Sequence, residues 1–73
     1  KPDPKIFHLA LERMEVGPEE SVYVGDSPQF DVEPATLVGM LGILLDRRGR
    51  FPDHAGLRIT SLEELPGAIG LAA

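Results

Sequence analysis

The sequence predicts an α/β fold built on part of a doubly wound parallel sheet, and three observations support this prediction. Residues 22–24 and Leu41–Leu45 are short, almost unbroken apolar runs, which are typical of strands covered on both faces. A segment with helical spacing precedes each run. Because helices and strands alternate along the chain, we expect right-handed crossovers within one parallel sheet.

The first predicted helix begins near the start of the chain. Asp3 is placed as its N-cap and Pro4 as its first helical residue, where proline costs no hydrogen bond. Apolar residues then recur at helical spacing at Phe7, Ala10, Leu11 and Met14. The pattern predicts an amphipathic helix, which Gly17 is expected to end in a left-handed conformation.

A polar loop, residues 25–31, separates the first strand from the second predicted helix. Asp31 is placed as the N-cap of that helix, and Pro34 falls in its first turn, where the missing N–H breaks no intrahelical bond. The packing face carries Val32, Ala35, Thr36 and Gly39. We therefore expect a short helix with small residues on its buried side.

The rest of the chain predicts a loop, a weaker strand and a final helix. Residues 46–52 are rich in arginine, glycine and proline and follow no period, which indicates a loop. Leu57–Ile59 is a candidate third strand. Ser61 and Glu64 have capping-box spacing, so we expect a single turn there, followed by a helix that starts at Pro66.

Length and composition limit the class of protein. With 73 residues the chain holds at most one domain, and its apolar strands need neighbours that it does not supply, so residues 1–73 predict an incomplete domain. The start at Lys1 without a leader, and the lack of cysteine, fit a piece of a cytoplasmic protein. Apolar runs too short for a membrane helix and a net charge of −5 argue against membrane and nucleic-acid partners.

The residues at the end of the first strand indicate a metal site. Ligands of parallel sheets bind beyond the carboxyl ends of the strands, and residues 25–31 form the loop at such an end. Gly25 permits close backbone approach, while Asp26 and Asp31 place two carboxylates about one loop apart. Mg²⁺ is the natural candidate for this pair because it favours carboxylates, water and phosphate oxygens.

Simpler structural roles compete with this interpretation. Asp31 can be a plain helix N-cap, and Asp26 a turn residue at a strand end. Tyr23 is interpreted as a core residue, and His54 as part of a loop rather than a ligand. Asp46 is singled out because it follows the next strand and shares the edge of the crevice with Asp26.

A basic segment follows the second strand. Arg47, Arg48 and Arg50 lie within four positions and make up three of the seven lysine and arginine residues. A solvated turn after a strand is the simpler interpretation. A contact with an anionic substrate or partner is the alternative.

Two motifs resemble those of the haloacid dehalogenase (HAD)-like hydrolase superfamily. Residues 22–31, an apolar strand followed by G-D-S and a second aspartate five positions after the first, are similar to its fourth motif. Residues 1–7, K-P-D-P-K-I-F, are similar to its third motif, and the two stand in the family's order and at about its separation. Residues 39–40 and 61–66 also resemble its phosphoglycolate-phosphatase-like branch.

The resemblance implies a role for each matching residue. Lys1 would be the motif-three lysine that steadies the charge of the nucleophile and the phosphoryl group, and Asp26 a Mg²⁺ ligand. Asp31 would be the second acid of motif four, which holds the metal site or the lysine, and Ser27 would lie beside them as a phosphate or loop contact. The implied activity is Mg²⁺-dependent hydrolysis of a small phosphomonoester through an aspartyl-phosphate.

The resemblance also implies what residues 1–73 lack. The family's nucleophile is an aspartate in an amino-terminal D-x-D motif, on a strand that precedes this sequence, and the cap domain of many members lies upstream as well. We therefore expect the carboxyl-terminal part of a HAD-like core, inactive by itself. Phe30 stands where the family commonly has asparagine, which removes a polar side chain, and Pro34 replaces a glycine and stiffens the helix start.

The sequence is also compatible with other functions. Dehalogenase and phosphonatase chemistry occur in the same family, although a Mg²⁺ pair at Asp26 and Asp31 favours phosphoryl transfer. A different class is a noncatalytic module whose exposed sheet edge pairs with a missing amino-terminal half or a second copy. A receiver-like signalling domain shares the sheet type, but the K-P-x-P-x-x-F start argues against it.

Overall fold

The computed structural model describes residues 5–70 and has an α/β architecture. The helices are α1 (Lys5–Met14), α2 (Glu33–Leu37) and α3 (Leu65–Ala68), and the strands are β1 (Val22–Gly25), β2 (Leu41–Leu45) and β3 (Leu57–Ile59). Shorter helical turns cover Pro18–Glu20, Pro28–Val32 and Leu62–Glu64. The predicted fold class is confirmed, while the expected cap at Asp3 and Pro4 lies outside the described residues.

The three strands form one parallel sheet in the order β1-β2-β3. Val22 of β1 lies opposite Leu41 of β2, and Gly25 lies opposite Leu44. β3 pairs with the other edge of β2. Because the strands are parallel, the loops that follow β1 and β2 leave the sheet at the same edge.

The central strand β2 carries the most buried side chains. Ile43 and Leu44 are fully buried, and because neighbouring residues of a strand point to opposite faces, β2 is covered on both sides as predicted. β1 is less covered, since Tyr23 and Val24 are half-buried and Val22 is 40% exposed. The reason is its position, because no strand within residues 5–70 pairs with the outer edge of β1.

Helix α1 covers one side of the sheet through part of its apolar face. Phe7 and Leu11 are buried in a cluster with Ala35 and Met40. Met14, predicted on the same face, remains exposed. The described residues therefore cover only part of the apolar face of α1.

The predicted left-handed cap at Gly17 is wrong. Gly17 has φ −82° and ψ 159°, and the left-handed residue is Glu15, with φ 58°. The N–H of Val16 donates to the carbonyl of Leu11 at 3.2 Å, which closes the helix before Gly17 is reached. Gly17 is extended because it precedes Pro18, and proline disfavours helical backbone at the residue before it.

The second helical segment begins at Pro28, earlier than predicted, and the N-cap assigned to Asp31 is wrong. Ser27 is the cap, since its hydroxyl accepts a hydrogen bond from the Phe30 N–H at 3.0 Å. The segment opens with a π-helical turn, Pro28–Val32, and continues as α2. Pro34 has no N–H and crowds the carbonyl four residues earlier, so a widened turn before it sacrifices no hydrogen bond.

The carboxyl-terminal part of the chain follows the predicted capping arrangement. The Glu64 carboxylate accepts hydrogen bonds from the Ser61 N–H at 3.0 Å and the Thr60 hydroxyl at 2.6 Å. A single turn follows, and α3 begins at Leu65, one residue before the predicted start at Pro66. Within residues 5–70, no helix has the length and apolarity needed to cross a membrane.

Candidate functional site

The loops that follow β1 and β2 line an open cleft of about 880 Å³. We call it the strand-end cleft. The loop after β1 contributes Asp26, Ser27 and Asp31 to its lining, and the ends of both strands also line it. The loop after β2 contributes Asp46, Arg47, Arg48, Arg50 and Phe51. The fold therefore brings the two predicted metal-site acids and the basic segment to one place.

Asp31 is held by two hydrogen bonds that cross the loop. Its Oδ2 atom accepts a hydrogen bond from the Ser27 N–H at 3.1 Å, and its Oδ1 atom accepts one from the Tyr23 hydroxyl at 3.3 Å. The two donors fix the orientation of the Asp31 carboxylate. Asp31 is thus a fixed acid inside the first helical turn rather than the cap of the helix.

Gly25 lies directly beneath the Asp31 side chain. A Cβ atom placed on Gly25 would lie 2.4 Å from both Cβ and Cγ of Asp31, which is too close for any real contact. The position therefore requires glycine because of the close approach rather than a special backbone angle. This confirms the expected role of Gly25 and ties it to a particular side chain.

Asp26 is the more available of the two acids. It follows β1 directly and is exposed, and its carboxylate accepts no hydrogen bond from residues 5–70. Asp26 is near enough to Tyr23 for its charge to act on the hydroxyl. A carboxylate that no described residue binds, near a fixed one, is an arrangement that a ligand from solution can use.

The acids of the cleft offer only part of a metal-binding set. No group of three or more histidine, cysteine or acidic side chains within residues 5–70 could hold a metal ion. Asp26 and Asp31 by themselves suit Mg²⁺, which takes one or two carboxylates and completes its shell with water and phosphate oxygens. The described residues therefore fit a partial Mg²⁺ site.

Tyr23 has a role that its interpretation as a core residue missed. Its ring packs edge-on against Phe7 with centroids 4.8 Å apart, and its hydroxyl reaches Asp31. Burial, the Asp31 charge and hydrogen bond, and the Asp26 charge raise the pKa of Tyr23, so the hydroxyl stays a donor. The sequence contained a signal for this role, because alternate residues of a strand point to the same face. Tyr23 and Gly25 therefore share one face of β1, and Asp31 covers that face.

Asp46, singled out by its position after β2, organises the basic loop. It is 3% exposed, and its two oxygens accept hydrogen bonds from the N–H groups of Arg50 and Phe51, both at 2.8 Å, and from Nε of Arg58 at 3.0 Å. Burial opposes ionisation, but the bonds from Phe51, Arg50 and Arg58 outweigh it and lower the pKa of Asp46. Asp46 lines the cleft while its charge is already compensated.

The remaining candidates are Lys1, Ser27 and His54. Lys1, the proposed motif-three lysine, lies outside the described residues. Ser27 lines the cleft, and its hydroxyl accepts the hydrogen bond that caps the helix. His54 lines a separate depression beside α2, and its Nε2 atom is buried without a hydrogen-bond partner among residues 5–70. It does not join the acids of the strand-end cleft.

Comparison with known protein families places the chain in one of them. The family described as HAD-hydrolase-like matches residues 1–61. That range includes both motifs on which the resemblance rests and the whole of the strand-end cleft. It covers more than half of the chain.

Named relatives include phosphatases from several organisms. The chain is 43% identical over 68 residues to a phosphoserine phosphatase of Thermus thermophilus, which covers 89% of this chain and 27% of that protein. It is 50% identical over 71 residues to a glyceraldehyde 3-phosphate phosphatase of Pyrococcus furiosus, which covers 89% of this chain and 30% of that protein. The chain thus spans less than a third of these relatives.

Solved structures agree with this assignment. A HAD phosphatase from Thermococcus onnurineus superimposes with a TM-score of 0.86 at 44% identity, over 96% of this chain and 33% of that one. A 2-haloacid dehalogenase from Pseudomonas syringae pv. Tomato gives a TM-score of 0.83 at 36% identity, over 94% of this chain and 31% of that one. The chain belongs to the HAD-hydrolase-like family.

Proposed function

We propose that residues 1–73 are the carboxyl-terminal part of a HAD-like hydrolase that cleaves a small phosphomonoester in the presence of Mg²⁺. The names of the relatives support phosphatase chemistry. One structural observation carries the proposal: Asp31 is fixed over Gly25, in the same cleft as the carboxylate of Asp26, which accepts no hydrogen bond from residues 5–70. The cytoplasmic location expected from the composition is part of the same proposal.

Each acid has a distinct task in this proposal. Asp26 would bind the metal ion directly, because its carboxylate has no competing partner within residues 5–70. Asp31 would hold the ion or the motif-three lysine from a fixed position, with one lone pair on each oxygen still free. A bound Mg²⁺ supplies charge neutralisation for the phosphoryl group. Lys1 would face the same negative charge.

The reactive carboxylate would come from outside this chain. By resemblance, the nucleophilic aspartate lies on an upstream strand and forms the aspartyl-phosphate. The exposed outer edge of β1, next to the acids, is where such a strand would fit. Residues 1–73 would then contribute charge compensation and positioning, while the bond-breaking group comes from the other part of the core.

The experiment compares two leaving groups in a longer protein that includes residues 1–73. We expect release of inorganic phosphate from p-nitrophenyl phosphate, lost on removal of Mg²⁺ with a chelator and restored by its return. Halide release from a 2-haloacid without phosphate release would instead favour dehalogenase chemistry. The 73-residue chain by itself should release neither product, and turnover that depends on Asp26 in this short chain would contradict the proposal.

A second candidate function is assembly through the outer edge of β1. The edge has no strand partner within residues 5–70, and Val22 is 40% exposed on it. An open apolar groove of about 250 Å³, lined by Ile6, Met14 and Val22 among others, continues this surface onto α1. Unpaired strand edges and apolar grooves favour association with another chain.

Light scattering separates this candidate from the first. A noncatalytic assembly module should be dimeric or larger, and Val22→Lys should weaken its association because a charge on the edge opposes strand pairing. Leu37→Lys on α2, where the side chain is 77% exposed and does not line this groove, is the matched control. A monomer with a cooperative thermal transition would argue against obligatory assembly.

A further inference from the structure

We propose that Arg47, Arg48 and Arg50 form a basic rim that binds an anionic group on the non-reacting part of the substrate. The inference rests on the proposed function, because it assigns the substrate class of the same cleft. The rim lines the same cleft as Asp26 and Asp31. It would select phosphomonoesters whose leaving group carries a carboxylate or another anionic group.

The backbone of the rim is held in one shape by Asp46. The Asp46 carbonyl accepts a hydrogen bond from the Gly49 N–H at 3.2 Å, and its side chain accepts those of Arg50 and Phe51 at 2.8 Å. Gly49 has φ 65°, a left-handed angle that favours glycine and turns the chain back. Because the backbone is closed in this way, binding does not have to order the loop itself.

The charges of the rim are not used inside the described structure. The three arginines are exposed, and none of them pairs with an acid within residues 5–70. Asp46 is the nearest acid in sequence, but its carboxylate is committed to Arg58 and to two backbone N–H groups. Within residues 5–70 no acid compensates the positive charge of the rim, although the net charge of the chain is −5.

The two loops that line the cleft differ in charge, which gives a bound molecule a direction. Asp26 and Asp31 repel an anion directly and suit a cation, whereas guanidinium groups bind carboxylate and phosphate through paired hydrogen bonds. Phe51 adds an apolar surface to the same cleft and is 37% exposed. A molecule whose reacting phosphoryl group lies at a Mg²⁺ ion held by the two acids, with a second anion at the rim, would match this pattern.

The test uses two esters of similar shape that differ in one charge, 4-carboxyphenyl phosphate and 4-carbamoylphenyl phosphate. In a longer protein that includes residues 1–73, we expect a higher kcat/KM for the carboxylate ester. Arg47→Gln and Arg48→Gln should each lower this preference about twofold to fivefold, the range for exposed ion pairs, through KM rather than kcat. Arg13→Gln, an exposed charge on α1 outside the cleft, should leave the preference unchanged.

Two results would overturn the inference. The preference could be absent in the unaltered protein, or the rim variants could lower kcat/KM equally for both esters, which would mean that the rim contacts the reacting phosphoryl group. The predicted preference should also shrink with added salt, because exposed charges are screened. An equal preference at low and high salt would contradict an electrostatic rim.

Calorimetric titration of the same proteins with both esters separates this inference from the proposed function. If neither ester is hydrolysed, the proposed phosphatase function fails. The binding data then still decide about the rim: tighter binding of the carboxylate ester, lost in the arginine variants, supports it. Equal binding of the two esters contradicts it, whatever the turnover.

Discussion

The hydroxyl of Tyr23 donates a hydrogen bond to Oδ1 of Asp31 at 3.3 Å, while the ring of Tyr23 packs against Phe7 of α1. One side chain thus links the apolar core to an acid of the candidate site. The position of Asp31 depends on this link, on the Ser27 N–H and on the space left by Gly25. The packing of α1 and the geometry of the strand-end cleft are therefore coupled through Tyr23.

Tyr23→Phe should separate the two functions of this side chain. The ring contact with Phe7 remains, so unfolding free energy should fall by only about 0.5–1 kcal/mol, the lower part of the range for one hydrogen bond. Asp31 loses a hydrogen-bond donor that positions it. Turnover or Mg²⁺ affinity should therefore fall by more than the small loss of unfolding free energy would cause. Denaturant unfolding and Mg²⁺ titration measure the two effects, and Tyr23→Leu, which also removes the ring, is the comparison.

The Tyr23 prediction has a clear contrary outcome. If Tyr23→Phe leaves Mg²⁺ affinity and turnover unchanged, the hydroxyl does not position Asp31. If Tyr23→Leu is no less stable than Tyr23→Phe, the edge-on contact with Phe7 contributes nothing measurable.

Gly25→Ala should displace the Asp31 carboxylate. The added Cβ would lie 2.4 Å from Asp31 Cβ, so backbone or side chain must move, at a cost of about 1–3 kcal/mol in unfolding free energy. Gly67→Ala is the matched control because nothing lies within 4 Å of a Cβ there. In the control, alanine should stabilise α3 slightly, as it does within helices. Equal effects of the two substitutions on denaturant unfolding would contradict the assigned contact.

Asp46 should make the basic loop sensitive to acid. Its pKa is lowered from 3.8 in the folded protein, so ionised Asp46 contributes stability above that value, and the contribution is lost as the pH falls through the folded pKa. Asp46→Asn should therefore lower the free energy of unfolding near neutral pH. It should also make that free energy decrease less as the pH is lowered. Thermal unfolding from neutral pH to below pH 3.8 measures this, with Asp53→Asn as an exposed control. Parallel pH profiles for Asp46→Asn and the unaltered protein would contradict it.

Much of the fold could be predicted from local patterns. The apolar run Leu41–Leu45 indicated a strand covered on both faces, and Ile43 and Leu44 are fully buried. The spacing of Ser61 and Glu64 also predicted a hydrogen bond that the structure contains. These features depend on neighbouring residues in the chain, which is why a pattern was enough to find them.

Other features depended on competition between signals of similar strength. Ser27 and Asp31 are both good caps, and Ser27 prevails because Pro28 follows it at a first helical position. Gly17 does not form the predicted left-handed cap because Pro18 holds the backbone of Gly17 extended. Period two placed Tyr23 on the same face of β1 as Gly25, but the partners Asp31 and Arg58 lie 8 and 12 positions away from Tyr23 and Asp46, farther than a capping or helical spacing reaches.

The central claim is that Asp26 holds the metal ion of a phosphatase, and Asp26→Asn tests it most directly. The measurement is phosphate release from p-nitrophenyl phosphate with Mg²⁺, by a longer protein that includes residues 1–73, alongside Asp53→Asn as an exposed control. We predict that Asp26→Asn lowers kcat/KM at least about 100-fold, as expected when charge stabilisation of the reacting group is lost, while the fold and Asp53→Asn activity persist. Full Mg²⁺-dependent turnover by Asp26→Asn would contradict the claim.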